Sequence, residues 1–369
     1  MTTRILSNDF RALWDDIGDE VMVAVERMGR SGWYILGTEV AGFEQDLATF
    51  HGVAHAVGCA SGLDAIEIGL RAAGIGSGDE VLTSPLTAFA TALAILRTGA
   101  TPVFADVDEL GLLSLDSVAA VLSSRPSIRA VIPVHLFGHA VEIEPLRILA
   151  AEHGCVVLED AAQAIGASSG GAPVGATTVG AATSFYPTKN LGALGDGGAL
   201  LTNDADIATA ARQLRDYGQR AKYEHVVAGL NSRLDELQAA ILRTAVLPGL
   251  RVALDRRAAI AERYLNGIRN HRIVVRPPAT PSTWHLFPVF VASVADRDAL
   301  QAHLTQHEIQ TAVHYPILAS AQLALADLDI GARDFPVAQR LADTEVSLPI
   351  HPYLSDDDVD RVIESCNSW

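Results

Sequence analysis

Between residues 54 and 203 the chain alternates short, β-branched apolar runs with longer segments of helical period. The apolar runs are AHAVGCAS (54–61), EVLTSP (80–85), TPVFADV (101–107), RAVIPVHLF (129–137), CVVLEDAA (155–162), AATSFY (181–186) and GGALLTN (197–203). They are nearly continuous rather than alternating, as in strands covered on both faces. The segments LDAIEIGLRAAG (63–74), AFATALAILRTG (88–99), LDSVAAVLSS (115–124) and EPLRILAAEHG (144–154) predict helices between them. Three of these stop at Gly74, Gly99 and Gly154, the residue type that best ends a helix. Repeated strand–helix units predict an α/β fold with a mainly parallel sheet and right-handed crossovers.

Beyond Ala205 the pattern changes. DIATAARQLRDYG predicts a helix, and SRLDELQAAILRTAVLPGLRVALDRRAAIAERYLNGI a long one interrupted near Pro248. A Pro-rich stretch (276–288) follows, then strand-like FPVFVAS and helix-like ADRDALQAHLTQH and DDDVDRVIESC. At about 150 residues per domain, 369 residues predict two or three domains. The expected division is an N-terminal arm and large domain over 1–249 and a smaller α/β domain over 250–369. The first thirty residues are expected to pack as a helix or arm on one of the two.

Composition sharpens this picture. With 49% hydrophobic and 19% charged residues the chain can fill a large core, which excludes intrinsic disorder. A formal net charge of −17 argues against a general nucleic-acid binder. Cys59, Cys155 and Cys366 are odd in number and widely spaced, so they suggest no disulfide framework and fit a reducing, cytosolic setting. The N-terminus carries Asp9, Asp15, Asp16 and Asp19 and no apolar core of a signal peptide. Residues 161–188 carry no charge, but glycines, Pro173 and Pro187 make buried loops and strands the expectation there, not a membrane span.

Of 27 basic residues only Lys189 and Lys222 are lysine. Arginine replaces lysine on most surfaces but never supplies a deprotonatable amine. Ligands of open parallel sheets bind outside the carboxyl ends of strands. There the sequence places Ser61-Gly62, Asp160, Gln163, Ser184 and Lys189. That set suits an aldehyde cofactor bearing a phosphate, pyridoxal phosphate. An amine forms the imine, a carboxylate keeps the ring nitrogen protonated, and a helix N-terminus holds the phosphate. Phe89 is placed to cover the ring. Read alone, Asp160 is equally a turn residue, Ser61 equally a helix cap, and Phe89 more often core.

Other patterns carry less. Gly74-Ile-Gly-Ser-Gly78 follows a helix and precedes a strand, the reverse of a nucleotide loop, and reads as a connection. His135 and His139 lie on a strand and turn without a Glu between them, which argues against a metal. His314-Tyr315-Pro316 and His351-Pro352-Tyr353 read either as pocket rim or as plain turns.

Eight segments in order resemble the DegT/DnrJ/EryC1/StrS aminotransferases over nearly the whole chain, from about Gly32 to Asp360. They are GWYILGTEVAGFEQDLATFHGVAHAVGCASGLDAI, GDEVLTSPLTAFAT, VHLFG, LEDAAQAIGA, SFYPTKNLGALGDGG, GLNSRLDELQAAIL, HYP and LPIHP. The resemblance implies the PLP-dependent transferase fold type I, with a seven-stranded-type sheet. It also implies transfer of nitrogen from an amino acid, glutamate being the expected donor, to a nucleotide-linked keto-deoxysugar in amino-sugar or natural-product biosynthesis. Lys189 stands at the Schiff-base position and Asp160 at the partner of the pyridine nitrogen. Gln163 stands near the ring hydroxyl, Gly62, Leu63 and Ser184 at the phosphate, and Phe89 at the ring face. Asn231 matches an asparagine that reaches the neighbouring subunit's phosphate, which implies a homodimer with shared sites. Tyr34, Tyr186, Lys222, Tyr223, His314 and Tyr315 are expected on the substrate side. Leu63 replaces a common Thr, and Leu318, Ala319 and Ser320 replace a common Pro and His. The Gly-Leu-Asp form hints at 3-amination. Rival readings are a ketocyclitol aminotransferase, a sugar dehydratase of the same fold, and a non-catalytic regulator. Relatives of the dehydratase kind carry His at the lysine position, so Lys189 opposes that reading.

Overall fold

The computed structural model describes residues 4–328 and 335–369. In chain order, helices α1 (Phe10–Ser31) and α2 (Thr38–His51) lead into β1 (His55–Cys59), α3 (Gly62–Ala72), β2 (Glu80–Thr83), α4 (Phe89–Arg97) and β3 (Thr101–Phe104). Then come α5 (Leu115–Ser124), β4 (Ile128–Ile132), α6 (Ile143–Glu152), β5 (Val156–Asp160) and a small hairpin, β6 (Ser168–Ser169) and β7 (Ala172–Pro173). Strands β8 (Gly180–Ser184) and β9 (Gly198–Thr202), helix α7 (Ala205–Leu214), and the hairpin β10 (Gln219–Ala221) and β11 (Glu224–His225) follow. Each strand and helix expected in this half is present. Gly74, Gly99 and Gly154 sit just past their helices at φ 78°, 88° and 69°, a conformation that a Cβ would strain.

The large sheet has the order β1-β9-β8-β5-β4-β2-β3. Strand β9 runs against both neighbours, and every other pairing is parallel. Six of the seven strands therefore point the same way, and their carboxyl ends share one rim. Successive strand residues feed opposite faces. Val81, Ala130, Ile132 and Leu158 pack with α3, α4 and α7, while Leu82, Val131 and Val157 pack with α5 and α6. Both faces are apolar, which is why the strands read as continuous runs.

Helix α8 (Glu236–Ile241) continues through a π turn (Leu242–Val246) and a 3-10 turn (Leu247–Gly249) into α9 (Leu250–Gly267). The interruption expected at Pro248 is thus a local retuning of the helix, because proline lacks the N–H that a regular turn would use. The rest comprises β12 (Val274–Val275), β13 (Phe287–Phe290), α10 (Val294–Gln306), α11 (Pro336–Thr344), β14 (Glu345–Leu348) and α12 (Asp356–Ser368). Strands β12-β13-β14 form an antiparallel sheet whose core includes Tyr264, Phe287, Val346 and Val362. The N-terminal segment touches both halves. Ile5 pairs with Ile309 and joins this second core, whereas Val21, Ala24 and Met28 of α1 pack on Ala240 and Ile241.

Candidate active site

Asp160 ends β5 at the shared rim and is 6% exposed. Its Oδ2 accepts the Thr91 hydroxyl at 2.8 Å, and its Oδ1 accepts the Ala162 N–H at 3.1 Å. Thr91 in turn lies 3.0 Å from Thr87 Oγ1. The preceding Glu159 anchors the strand end from the other side. It accepts from Gly175 N (2.8 Å), Thr178 Oγ1 (2.7 Å) and His135 Nε2 (2.9 Å). His135 and His139 thus have separate partners, Glu159 and Ser282, and no cluster of metal ligands exists among the described residues.

Lys189 lies in a tight turn after β8, its N–H bonded to Tyr186 O at 2.8 Å. Gly192 closes that turn, because a Cβ there would meet Pro187 O at 2.4 Å. Burial pushes the Lys189 amine down to about 8, and the negative charge of Asp160 opposes the shift. The amine is therefore unprotonated in about one chain in ten at pH 7, against roughly one in three thousand for a lysine at its ordinary value.

A third feature adjoins these two. Ser61 caps α3, its hydroxyl accepting the Asp64 N–H at 3.1 Å. The N–H groups of Gly62 and Leu63 have no acceptor among the described residues. Ser184 stands over them, since a Cβ on Gly62 would fall 2.6 Å from Ser184 Cβ. On the other side, a Cβ on Gly198 would meet the Ser61 carbonyl at 2.4 Å. Two free N–H groups at a helix start, with a hydroxyl beside them, make an anion cradle.

Gln163 links this rim to the C-terminal half. Its Oε1 accepts the Phe137 N–H at 2.6 Å and its Nε2 donates to Tyr315 Oη at 3.2 Å. Thr283 Oγ1 donates to Gln163 O at 2.9 Å. His285 lies 3.3 Å from Asn190 Oδ1, and burial together with the Lys189 charge keeps its imidazole neutral, well below its ordinary value. Phe89 opens α4, the helix that carries Thr91, and packs beside Phe104, Ala319 and Leu325. Two cavities meet at Asn8 and Thr188. One of about 560 Å³ reaches Lys189, Arg257 and the turn His351-Pro352-Tyr353. The other, of about 200 Å³, is lined by His285, His314 and Ser347.

Within one chain the remaining candidates do not converge on Lys189. Tyr34 and Tyr186 are exposed, and Tyr223 is 82% exposed at the tip of the β10–β11 hairpin, with Lys222 over its ring at 5.2 Å. Asn231 is exposed and its side chain has no partner among the described residues. It lies five residues before α8, whose N-terminal flank is Asp235, so it does not cap that helix. Thr91, Thr283, His285, Glu345 and Ser347 were not legible as site residues. Thr91 sits on helix α4, Glu345 and Ser347 on strand β14, and Thr283 and His285 in the loop before β13, and only the tertiary fold brings them to the rim.

An amine of lowered basicity, a carboxylate aimed from the strand end and an anion cradle fit the aldehyde, ring nitrogen and phosphate of pyridoxal phosphate. Comparison with known proteins agrees. The dTDP-3-amino-3,4,6-trideoxy-alpha-D-glucose transaminase of Streptomyces venezuelae is 42% identical over 371 residues, covering 100% of this chain and 97% of the relative. The crystal structure of S. venezuelae DesV with a ketimine intermediate superposes with a TM-score of 0.95 at 41% identity, covering 100% of this chain and 99% of that one. NtdA of Bacillus subtilis with bound cofactor PMP superposes at 0.92 with 26% identity, covering 99% of this chain and 85% of that one. The DegT/DnrJ/EryC1/StrS aminotransferase family matches residues 15–367, and the chain belongs to that family of pyridoxal-phosphate-dependent enzymes, with their type I fold.

Proposed function

We propose that this aminotransferase moves nitrogen from an amino acid, glutamate being the expected donor, to a nucleotide-linked keto-deoxysugar in the cytoplasm. The observation that carries the reading is the half-buried Lys189 amine facing Asp160, next to the Gly62–Leu63 cradle. The relative from S. venezuelae, named for a dTDP-amino-sugar, supports the substrate class. In this reading Lys189 binds the cofactor and Asp160 holds its ring nitrogen protonated. Gly62, Leu63 and Ser184 hold the phosphate, Gln163 the ring hydroxyl and Phe89 the ring face. The cofactor supplies an aldehyde carbon and an electron-withdrawing ring. Lys189 Nζ, once free, takes the proton from the α-carbon of the amino acid and serves in the reverse sense when the sugar receives nitrogen. Thr91 keeps Asp160 oriented by donating to its outer oxygen. His314 and Tyr315 lie on the substrate side, with Tyr34, Tyr186, Lys222 and Tyr223 at the mouth. We assign residues 1–249 to a large unit and 250–369 to a small one, with the substrate bound between them.

The site is completed by a second copy of the chain. Asn231, unpartnered and exposed, reaches the neighbour's phosphate. The exposed aromatic side chains Trp33, Tyr34, Tyr186 and Tyr217 supply apolar area for such an interface. Three experiments test the proposal. Borohydride should fix the cofactor to the Lys189 peptide, and label on Lys222 or none would overturn the assignment. The purified protein with glutamate should aminate a dTDP-linked keto sugar, and turnover of ketocyclitols alone would replace the substrate class. For the dimer, a Lys189→Ala chain is mixed with an Asn231→Ala chain. Shared sites predict partial return of activity, because one site in each heterodimer carries neither lesion. No gain over the parents would refute the sharing.

A further inference from the structure

Behind His314 lies a polar network for which the transfer reaction above has no use. Ala312 and Ser347 exchange backbone hydrogen bonds, which pins the segment before His314 to β14. The His314 N–H donates to Glu345 Oε2 at 2.7 Å, and Glu345 Oε1 shares a hydrogen bond with the Ser347 hydroxyl. The same hydroxyl lies 2.8 Å from His314 Nδ1. Glu345 and Ser347 are buried, while His314 borders the 200 Å³ cavity together with Thr188 and His285. Its Nε2 has no partner among the described residues and is not sealed from the cavity.

A serine hydroxyl has one proton and can donate to only one of these neighbours. When Glu345 is ionised it can only accept. Ser347 then donates to Glu345 and accepts from Nδ1–H, which leaves Nε2 with a lone pair. When Glu345 is protonated, its Oε1–H donates to Ser347. Ser347 then donates to Nδ1, and Nε2 carries the hydrogen. The backbone bond from His314 N to Oε2 is the same in both states.

We propose that Glu345 and Ser347 are positioning residues that decide, through this chain of hydrogen bonds, whether His314 Nε2 accepts or donates a proton towards the substrate beside Lys189. The protons balance. One taken up at Nε2 is matched by the Nδ1 proton moving to Ser347 Oγ and the hydroxyl proton moving to Glu345, so the ring begins and ends neutral. Such a route matters at this position. Burial and the Lys189 charge hold the His314 imidazolium down to about 4, whereas burial raises the Glu345 carboxyl to about 8. The Arg297 charge and the bonds from Ser347 and His314 oppose the rise at Glu345. Tyr315 faces Glu345 as a neutral phenol, and His285 faces His314 as a neutral ring.

That the group meeting Nε2 is the substrate rests on the proposed transfer, but the hydrogen-bond logic does not, and the test needs neither substrate nor cofactor. Histidine-labelled protein is followed by ¹⁵N NMR, with His314 assigned by difference against H314Q and, independently, H314N. As pH rises through about 8, Nε2 should pass from protonated to unprotonated with no imidazolium stage. In E345Q the His314 N–H demands the amide oxygen at the Oε2 position. The NH₂ then faces Ser347, and Nε2 should stay protonated across the range. In S347A the titration should disappear. A wild-type ring that keeps one tautomer throughout, or an E345Q ring that titrates like wild type, would overturn the proposal. The wild-type titration decides it even if neither network variant folds. A failed aminotransferase assay leaves this readout untouched.

Discussion

Glu159 and Glu345 are each 1% exposed and each is joined to a histidine, yet they do different work. Glu159 sits under the rim, and every bond around it has a fixed direction. Val141 N donates to His135 Nδ1 at 3.0 Å, so Nε2 must carry the proton given to Glu159. Gly175 and Thr178 complete the carboxylate. The His135 ring proton is fixed between these partners, and neither Glu159 nor His135 lines the two cavities at the rim. Around Glu345 a serine stands between acid and histidine, and the last nitrogen of the chain is open. A saturated network fixes a strand end, whereas one left unsaturated at a cavity can respond to protonation. Burial alone does not tell a structural acid from a functional one; the count of committed donors does.

Glu159→Ala should have the largest effect. It leaves the His135 ring and the Gly175 N–H without their acceptor in a dry interior, while the Thr178 hydroxyl keeps only Gly180 O at 3.2 Å. The expected loss is about 3–5 kcal/mol of stability, read as a large fall in the urea midpoint. A loss under about 1 kcal/mol would show that water or a rearranged partner replaces the carboxylate.

Glu345 should behave in the opposite sense. Its folded value, about 8, lies above the ordinary 4.5, so between those values the folded chain binds more protons than the unfolded one. The stabilising, protonated form is complete below about pH 4.5 and is lost as pH rises through 8. The contribution from Glu345 should fall by about 2–4 kcal/mol over that window. Glu345→Gln should flatten this part of the stability profile. Parallel profiles for the two proteins would mean that Glu345 is ionised throughout.

These differences were only partly visible in the chain. The strand rim was legible because runs covered on both faces are continuous, and Lys189 because an amine stands out in a chain that otherwise uses arginine. Asp160 was legible as the last residue of such a run. Glu159, one position earlier, looks the same in sequence, and only the pleat sends it to the other side. Thr91 lies 69 residues from Asp160, and Glu345 lies 31 residues from His314. Nothing local marks either. The fold supplies both meetings, and neither leaves a periodic signal. Asn231 shows the converse. The sequence resemblance singled it out, and its place five residues before α8 leaves its side chain open.

The acid at the rim should cost activity rather than stability when it is changed. Asp160→Asn keeps the shape of the side chain but removes the charge, and the lost charge-assisted bond is worth roughly 1.5–3 kcal/mol. That predicts a fall of at least about tenfold in kcat/KM with little change in the urea midpoint. Near-normal turnover would deny Asp160 its role.

Thr91→Val tests the support of that acid and should have the smallest effect. Valine fills the volume of threonine, so packing around α4 is preserved. What disappears is the hydroxyl that donates to Asp160 Oδ2 at 2.8 Å and meets Thr87 at 3.0 Å. A hydrogen bond of this kind is worth about 1 kcal/mol, which corresponds to roughly a fivefold loss in kcat/KM. Asp160 keeps its charge and its bond from Ala162, so cofactor attachment at Lys189 should persist. Thr87→Val serves as the control, because it removes only the outer hydroxyl and leaves Thr91 free to donate inward. If both variants lose the same activity, the two threonines act as one hydrogen-bonded unit. If only Thr91→Val loses it, the single bond to Asp160 is what orients the acid. If neither does, the β5 strand end and the Ala162 N–H suffice to hold Asp160 in place.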